Sequence, residues 1–167
     1  MLTMYSSSVP VFSKMLKNGR SWLDKLSMHA SQKKFDPSVV LQARLAPDMF
    51  PCIRQFQIAT DHAKGCCARL AGIEVPRYED TEQTLAELQA RLDKTVAFVD
   101  GIERTKFEGS ENREIVLPSP SGERRFQGLD YLQGYATPNF YFHLVTAYSI
   151  LRHNCVDVGK ADFLRGG

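Results

Sequence analysis

The segment PNFYFHLVTAYSILRHN, residues 138–154, is strongly apolar and aromatic, and it lies near the C-terminal end of the chain. A helix of this composition is expected to be largely buried, so its polar side chains need partners. Asn139 and His143 are four residues apart, which places the amide and the imidazole on one helical face, one turn apart and beside Tyr135. The segment therefore predicts a buried helix that carries a site for a ligand or a metal.

Three further segments repeat apolar residues at intervals of three and four, the period of an amphipathic helix. The first runs from Ser8 to about Lys33, the second from about Met49 to Leu70, and the third from Leu85 to Ile102. Together with the apolar segment they predict four long helices in a single domain, residues 1–167.

Residues that favour helix ends refine these limits. Ser6, Ser7 or Ser8 could cap the first helix, in which Pro10 is tolerated because it falls in the first turn. The sequence Asp36-Pro37 predicts the start of a short helix through Leu41, and Pro47-Asp48 predicts the start of the second long helix.

The sequence also indicates where the second long helix ends and where the third and fourth begin. Gly72 is a candidate left-handed cap for the second long helix, and the third begins at a capping box formed either by Thr84 with Glu87 or by Asp80 with Gln83. The fourth helix is expected to begin between Leu129 and Leu132, and Pro138 is expected to kink it beside Asn139.

The helical period disappears between residues 107 and 127. Residues 114–117 and 124–127 flank PSPSG at 118–122, which predicts a short β-hairpin or an extended loop between the third and fourth long helices. The C-terminal tail, residues 156–167, is polar and rich in glycine, so we expect an extended segment that lies on the helices.

Four long amphipathic helices favour an all-α four-helix bundle. The connection between the first two contains its own short helix, and the connection between the last two contains more than 20 residues with the hairpin. Connections of this length can run along the bundle, so both up-down-down-up and up-down-up-down orders are compatible with the sequence.

Composition excludes several classes of function. The formal charge is +2, from 21 basic and 19 acidic residues spread along the chain, so we expect no binding to nucleic acid. No apolar run is long enough for a membrane span and the N-terminus lacks a secretory pattern, which predicts a cytoplasmic protein with no membrane partner. The four cysteines show no zinc-binding spacing and are expected to be reduced and buried, although oxidation of Cys66 and Cys67 stays open.

Several motifs spread along the chain resemble an uncharacterised bacterial domain-of-unknown-function family that is related to the DinB/YfiT-like four-helix bundles. The resemblance extends from about Tyr5 to Leu164. The residues that carry it are RLAPDMFP at 44–51, Gln57, AKG at 63–65, ARL at 68–70, Glu82 with Thr84, NFYFH at 139–143 and ILRHN at 150–154.

This resemblance implies an up-down-down-up bundle and a homodimer. It also implies a superfamily of metalloenzymes in which three histidines often bind a divalent metal ion, one from the second long helix and two, as HxxxH, from the fourth. Some members of this superfamily transfer groups to or from small thiols.

The chain departs from that pattern at two of the three metal-binding positions. The HxxxH motif reads Asn139 to His143, and Gln57 or Asp61 stands near the second-helix position, with His62 on a neighbouring face. Neutral amides are weak ligands for nickel, copper or zinc. We therefore expect no metal and no cofactor; a weakly held divalent ion at His143 is the alternative.

The leading hypothesis is a degenerate, non-metal member of this superfamily with a small-molecule pocket between the second and fourth long helices. Its candidate ligand-binding residues are Gln57, Asp61, Tyr135, Asn139 and His143. The alternatives are a metal-assisted or thiol-dependent transferase with His143 as the catalytic residue, and a protein-interaction module. Whether the protein is an enzyme stays open at this point.

Overall fold

The computed structural model describes residues 2–120 and 122–165, which are mainly helical and include one small antiparallel sheet. Short 3-10 helices cover Arg104–Phe107 and Ser110–Asn112, and strands β1 (Glu114–Ser119) and β2 (Gly122–Gln127) form the hairpin predicted for this region. The α-helices in chain order are α1 Val9–Lys33, α2 Ser38–Leu41, α3 Cys52–Ala71, α4 Leu85–Asp100, α5 Gly128–Asp130, α6 Thr137–His153 and α7 Lys160–Arg165.

The predicted start of α1 at Ser8 is confirmed to within one residue, whereas its predicted side-chain cap and the predicted start of α3 are wrong. The hydroxyl of Ser8 donates a hydrogen bond to the carbonyl of Met4 at 2.6 Å and does not cap α1. Helix α3 begins at Cys52, because Pro51 disfavours the helical conformation at the residue before it. Pro47 and Asp48 therefore lie in a turn that precedes the helix.

Other predicted boundaries are confirmed. The carboxylate of Asp36 accepts a hydrogen bond from the backbone N–H of Ser38 at 2.8 Å, at the start of α2. Gly72 ends α3 with φ 67°, a left-handed conformation that glycine adopts without a steric penalty. At α4 the capping box forms between Thr84 and Glu87, each side chain accepting from the other residue's backbone N–H.

A π-helical turn at Tyr131–Ala136 connects α5 to α6, directly before Pro138. Proline has no backbone N–H and cannot continue regular helical hydrogen bonding. The side-chain amide of Asn139 donates to the carbonyl of Tyr135 at 2.6 Å, so a side chain satisfies a backbone acceptor in this irregular turn. The predicted disturbance of the helix beside Asn139 thus takes the form of a π-helical turn.

The long helices contact one another in pairs. Lys17 and Arg20 of α1 pair with Asp100 and Asp93 of α4, at 2.9 and 3.2 Å, so these two helices run in opposite directions. In α1 and α6, Phe12 contacts Phe140 and Trp22 contacts Tyr148, which gives these helices the same direction. Helix α3 packs against both α4 and α6.

The C-terminal tail departs from the sequence prediction, because residues 160–165 form helix α7 where an extended segment was expected. Phe163 stacks on Trp22 of α1 with ring centroids 5.4 Å apart, and its carbonyl accepts a hydrogen bond from Asn18 at 2.8 Å. The stacking of Phe163 on Trp22 stabilises α7, because it packs the aromatic side chain of this helix against α1. The last two residues of the predicted tail, Gly166 and Gly167, lie outside the described residues.

Three of the four cysteines are buried as predicted, whereas Cys155, just beyond α6, is exposed. Burial raises the pKa of the Cys66 thiol above its usual range, so this thiol is protonated at neutral pH. Within the described residues, no helix has the combination of length and apolar character that crossing a membrane requires.

Candidate functional site

Helices α3 and α6 bring two histidines together. The imidazole rings of His62 and His143 stack with centroids 6.0 Å apart and planes inclined by 13°. The ring of Tyr135 contacts His62 at 5.9 Å, edge to face. His62, which the sequence pattern placed on a neighbouring face, therefore lies at the centre of this group, and we refer to His62 and His143 as the histidine pair.

A buried glutamine holds one member of the pair. The side-chain oxygen Oε1 of Gln55 lies 2.7 Å from Nδ1 of His143. The amide nitrogen of Gln55 donates to the carbonyl of Phe50 at 3.0 Å, and the side chain is almost completely buried. The side chain of Gln55 thus contacts both Phe50, just before α3, and the imidazole of His143 on α6.

The other three ring nitrogens of the pair have no hydrogen-bond partner in the part of the chain that the structure describes. Neither nitrogen of His62 nor Nε2 of His143 has a hydrogen-bond partner among residues 2–120 and 122–165. These atoms are not enclosed either, because Ser13 Oγ is the one sequestered, unpartnered side-chain N or O atom in that part of the chain. The histidine pair consequently offers hydrogen-bonding groups to solvent or to a ligand.

Both imidazoles are neutral at pH 7. The pKa of His62 is lowered from its ordinary value of 6.5 to about 4, mainly by burial. The neighbouring His143 and Arg69 also lower this pKa, and Asp61 raises it. Burial also lowers the pKa of His143, with a second contribution from the positive charge of Arg54. Neutral imidazole is the form that can accept a proton or a hydrogen bond.

Two of the predicted site residues, Gln57 and Asp61, are engaged on another face of α3. The amide of Gln57 donates to Glu82 at 2.8 Å, and Asp61 accepts from Arg91 and Lys64, each at 2.9 Å. Of the five predicted ligand-binding residues, His143 belongs to the histidine pair, and Tyr135 and Asn139 lie beside it. Gln57 and Asp61 instead contact charged side chains on the other face of α3.

These charged side chains form a cluster between α3, α4 and the segment that connects them. Arg91, whose side chain is 2% exposed, contacts Asp80 at 3.0 Å and Glu82 at 3.1 Å in addition to Asp61. It also donates to the hydroxyl of Thr60 at 2.8 Å. We use the term charged cluster for the cations Arg54, Lys64 and Arg91 with the carboxylates Asp61, Asp80 and Glu82.

Two cavities lie away from the histidine pair. One of about 580 Å³ is lined by residues that include Tyr5, Phe107 and Leu129, and another of about 560 Å³ lies beside Tyr78 and Lys94 at the edge of the charged cluster. Neither includes His62 or His143. What marks the histidine pair is its ring nitrogens, which have no partner among residues 2–120 and 122–165.

Gln55 and His62 are functional candidates that the sequence analysis missed. They are seven residues apart on α3, and Arg69 follows after seven more, so the three lie along one helical face. Their partners on α6 and the preceding π-helical turn are His143, Tyr135 and Tyr131. This heptad spacing of polar residues on α3 is the signal that could have identified them.

The donor set does not match a three-histidine metal centre. Asn139 stands at the first position of the fourth-helix motif, and its amide is already bonded to the carbonyl of Tyr135. Nδ1 of His143 faces Gln55, which leaves Nε2 and the nitrogens of His62 as the available imidazole donors. In the described part of the chain, no three His, Cys, Asp or Glu side chains come together in a group that could hold a metal ion.

Comparison with known proteins establishes the family. Residues 4–164 match the family described as a domain of unknown function (DUF1993). The chain belongs to this DUF1993 family. A solved crystal structure, described as that of a DinB family member from Shewanella denitrificans, is 42% identical, with a TM-score of 0.92 over 98% of this chain and 93% of that chain.

The search of curated proteins found no match. The membership confirms the sequence-based assignment to an uncharacterised DinB-like family.

Proposed function

We propose that this protein is a degenerate, non-metal member of the DinB-like family that acts in the cytoplasm and binds a small molecule between α3 and α6. The binding site comprises His62 and His143 with the adjacent Tyr135, Asn139 and Gln55. The observation that carries the proposal is the presence of neutral imidazoles whose free nitrogens reach the surface. Ligand sites typically combine aromatic side chains with a few well-placed polar groups.

A fold assignment is part of this proposal. We assign the four long helices α1, α3, α4 and α6 to an up-down-down-up bundle of the DinB type. The opposite directions of α1 and α4 and the common direction of α1 and α6 support this order. The contacts of Gln55 with His143 and of Arg69 with Tyr131 support opposite directions for α3 and α6.

Ligand binding is tested by screening a library of small polar aromatic compounds with ligand-observed NMR. We expect compounds that bind wild-type protein to lose their signal changes in His62→Ala and in His143→Ala. His153→Ala is the matched control, because His153 is an exposed histidine on the same helix as His143. Binding that survives both pair variants would contradict the proposed site.

The non-metal character is tested separately by elemental analysis of protein purified without a histidine tag. We expect substoichiometric nickel, copper and zinc, because amides at Asn139 and Gln57 are poor ligands for these ions. One equivalent of metal that is lost in His143→Ala would overturn this part of the proposal.

A second candidate is group transfer to or from a small thiol, with His143 as the base. The free Nε2 of neutral His143 favours it, because that atom could take the thiol proton and leave a nucleophilic thiolate. Transfer of a chlorodinitrobenzene aryl group to a low-molecular-weight thiol would be measured in wild type and His143→Ala. A rate no greater than the uncatalysed reaction would contradict this candidate.

We also propose a homodimer that forms through the outward face of α6. Phe142 and Val145 are three residues apart on this helix and are 61% and 43% exposed, and Phe50 nearby is 55% exposed. Exposed aromatic residues are favoured in interface cores. Sedimentation equilibrium is expected to give a dimer for wild type and a monomer for Phe142→Glu, whereas a monomeric wild type would exclude the proposal.

A further inference from the structure

The hydrogen bonds around Gln55 determine which nitrogen of His143 carries the proton. The carbonyl oxygen of Phe50 can only accept, so the group of Gln55 that lies 3.0 Å from it must be the NH₂. A flipped amide would place two acceptors against each other. The orientation of the amide therefore follows from the fixed backbone at Phe50 and does not depend on the histidine.

With the amide oriented in this way, Oε1 of Gln55 faces Nδ1 of His143 at 2.7 Å. An amide oxygen is an acceptor, so Nδ1 must be the protonated nitrogen of the neutral imidazole. The lone pair of the ring is then on Nε2, the atom that has no partner among the residues that the structure describes. Because Gln55 is almost completely buried, water competes poorly for this bond.

We propose that Gln55 is a positioning residue that fixes His143 as the Nδ1–H tautomer, so that the site recognises ligands which present an O–H, N–H or S–H donor to Nε2. This inference rests on the proposed ligand site and adds the chemical class of the ligand. Groups that only accept hydrogen bonds, such as a carboxylate, would face the lone pair and be disfavoured there. Arg54, the cation whose charge acts on His143, is already paired with Asp80 and with Gln57.

The chain supplies a matched pair of variants. Gln55 and Gln57 are both buried glutamines of α3, but Gln57 donates to Glu82 in the charged cluster and has no bond to His143. Gln55→Leu removes the acceptor for Nδ1–H, whereas Gln57→Leu removes a buried glutamine of the same helix and leaves that acceptor in place. Gln55→Glu keeps an acceptor oxygen toward Nδ1–H but loses the donor to the carbonyl of Phe50, so it separates the effect of the acceptor from that of the second hydrogen bond.

The tautomer is read from long-range ¹H–¹⁵N correlation spectra of protein labelled in its histidines, recorded at pH 8. We expect a protonated Nδ1 and an unprotonated Nε2 for His143 in wild type, Gln57→Leu and Gln55→Glu, and a shift of the population toward Nε2–H in Gln55→Leu. An Nε2–H tautomer in wild type would overturn the assignment without any variant. An unchanged tautomer in folded Gln55→Leu would show that Gln55 does not position the ring.

Phenol and benzoate then serve as probes of the ligand class, since both are small aromatic molecules and only phenol has a donor. We expect phenol to shift the Nε2 resonance of His143 in wild type, with a loss of at least half of that shift in Gln55→Leu, and benzoate to leave the resonance unchanged. A larger response to benzoate would overturn the donor preference. If His143 is the Nδ1–H tautomer and this depends on Gln55, but neither phenol nor benzoate shifts its resonance, the proposed ligand site would be contradicted. The positioning role of Gln55 would then still hold.

Discussion

Two faces of helix α3 differ in whether their polar side chains are paired. Toward α4, Asp61 and its neighbours form the charged cluster, in which buried Arg91 contacts three carboxylates within 3.1 Å. Toward α6, the histidine pair is half-buried and uncharged, and three of its four ring nitrogens have no partner within the described ranges. One face therefore satisfies its charges internally, and the other keeps hydrogen-bonding capacity unused.

The difference follows from the chemistry of the residues. Carboxylates and guanidinium groups remain charged at neutral pH, so burying them requires direct pairing. Imidazole can lose its charge instead, and the low pKa of His62 shows that burial has this effect here. Unused hydrogen-bonding groups on a half-buried aromatic surface are typical of binding sites, whereas fully paired charges are typical of structural contacts.

Removing the central cation is expected to produce the largest change. Arg91→Met leaves Asp61, Asp80 and Glu82 close together without their shared partner, and we expect a loss of about 3–5 kcal/mol in the free energy of unfolding. Urea denaturation monitored by circular dichroism measures this loss. Arg125→Met is the control. Arg125 also pairs with two carboxylates, Glu114 and Glu123, but on an exposed hairpin, and we expect a much smaller loss because solvent screens these pairs. Equal losses would contradict a structural role for the charged cluster.

The histidine face is expected to make stability depend on pH. The pKa of His62 is 6.5 in the unfolded chain and about 4 in the folded protein, so the unfolded state binds more protons between these values. The stabilisation is complete above about pH 6.5 and is lost as the pH falls toward 4. We expect His62 to account for a decrease on the order of 2–3 kcal/mol over that range, with His143 acting in the same direction.

Urea denaturation of wild type and His62→Gln at a series of pH values isolates this contribution, because carboxylates titrate alike in both proteins. The free energy of unfolding of wild type relative to that of His62→Gln is expected to be constant above pH 7 and to fall by about 2–3 kcal/mol between pH 6.5 and pH 4. His153→Gln, at an exposed histidine of α6, is expected to follow the wild-type curve. A His62→Gln curve parallel to that of wild type would mean that His62 is not buried as described.

A smaller effect is expected from Arg69, near the end of α3, whose charge acts on His62 of the histidine pair. A Cβ at Gly65 would lie 2.5 Å from Nη1 of Arg69, so Gly65→Ala should displace this flexible side chain and break its hydrogen bond to Tyr131. The gain in helix propensity, about 1 kcal/mol, and the lost hydrogen bond, also about 1 kcal/mol, nearly cancel in the free energy of unfolding.

The pKa of His62 is the more sensitive measurement for Gly65→Ala, because the positive charge of Arg69 lowers that pKa in wild type. We expect a small increase in an NMR titration, of similar size in Arg69→Met. A change in Arg69→Met without one in Gly65→Ala would show that Arg69 keeps its position despite the added methyl group.

Much of the fold was accessible from local sequence signals. The Thr84–Glu87 capping box, the left-handed Gly72 and the hairpin around residues 118–122 depend on residues close together in the chain, and all three are present. The error in the C-terminal tail occurred where a distant contact decided the outcome. Phe163 orders α7 through Trp22, a residue of the first helix that local composition of the tail could not reveal.

The candidate site was predictable only in part. His143, Asn139 and Tyr135 lie on one helix and its preceding turn, so their spacing placed them on a common face. The choice of Gln57 and Asp61 as their partners on α3 depended on the rotation of that helix about its axis. Successive residues point in directions about 100° apart around a helix, so residues one or two positions apart on α3 can face α4 or α6. The sequence pattern contains no strong signal that shows which residues of α3 face which neighbour.

The sequence by itself determined the helical segments, most of their ends, the hairpin and the loss of the three-histidine pattern, because periodicity, caps and residue identity are local properties. Only the tertiary structure decided that Gln55 and His62 face His143. It likewise decided that Gln57 contacts Glu82 and that Asp61 contacts Arg91. The physical reason is packing: apolar side chains on several faces of α3 are buried at once, so its rotation is fixed by how all its neighbours fit together.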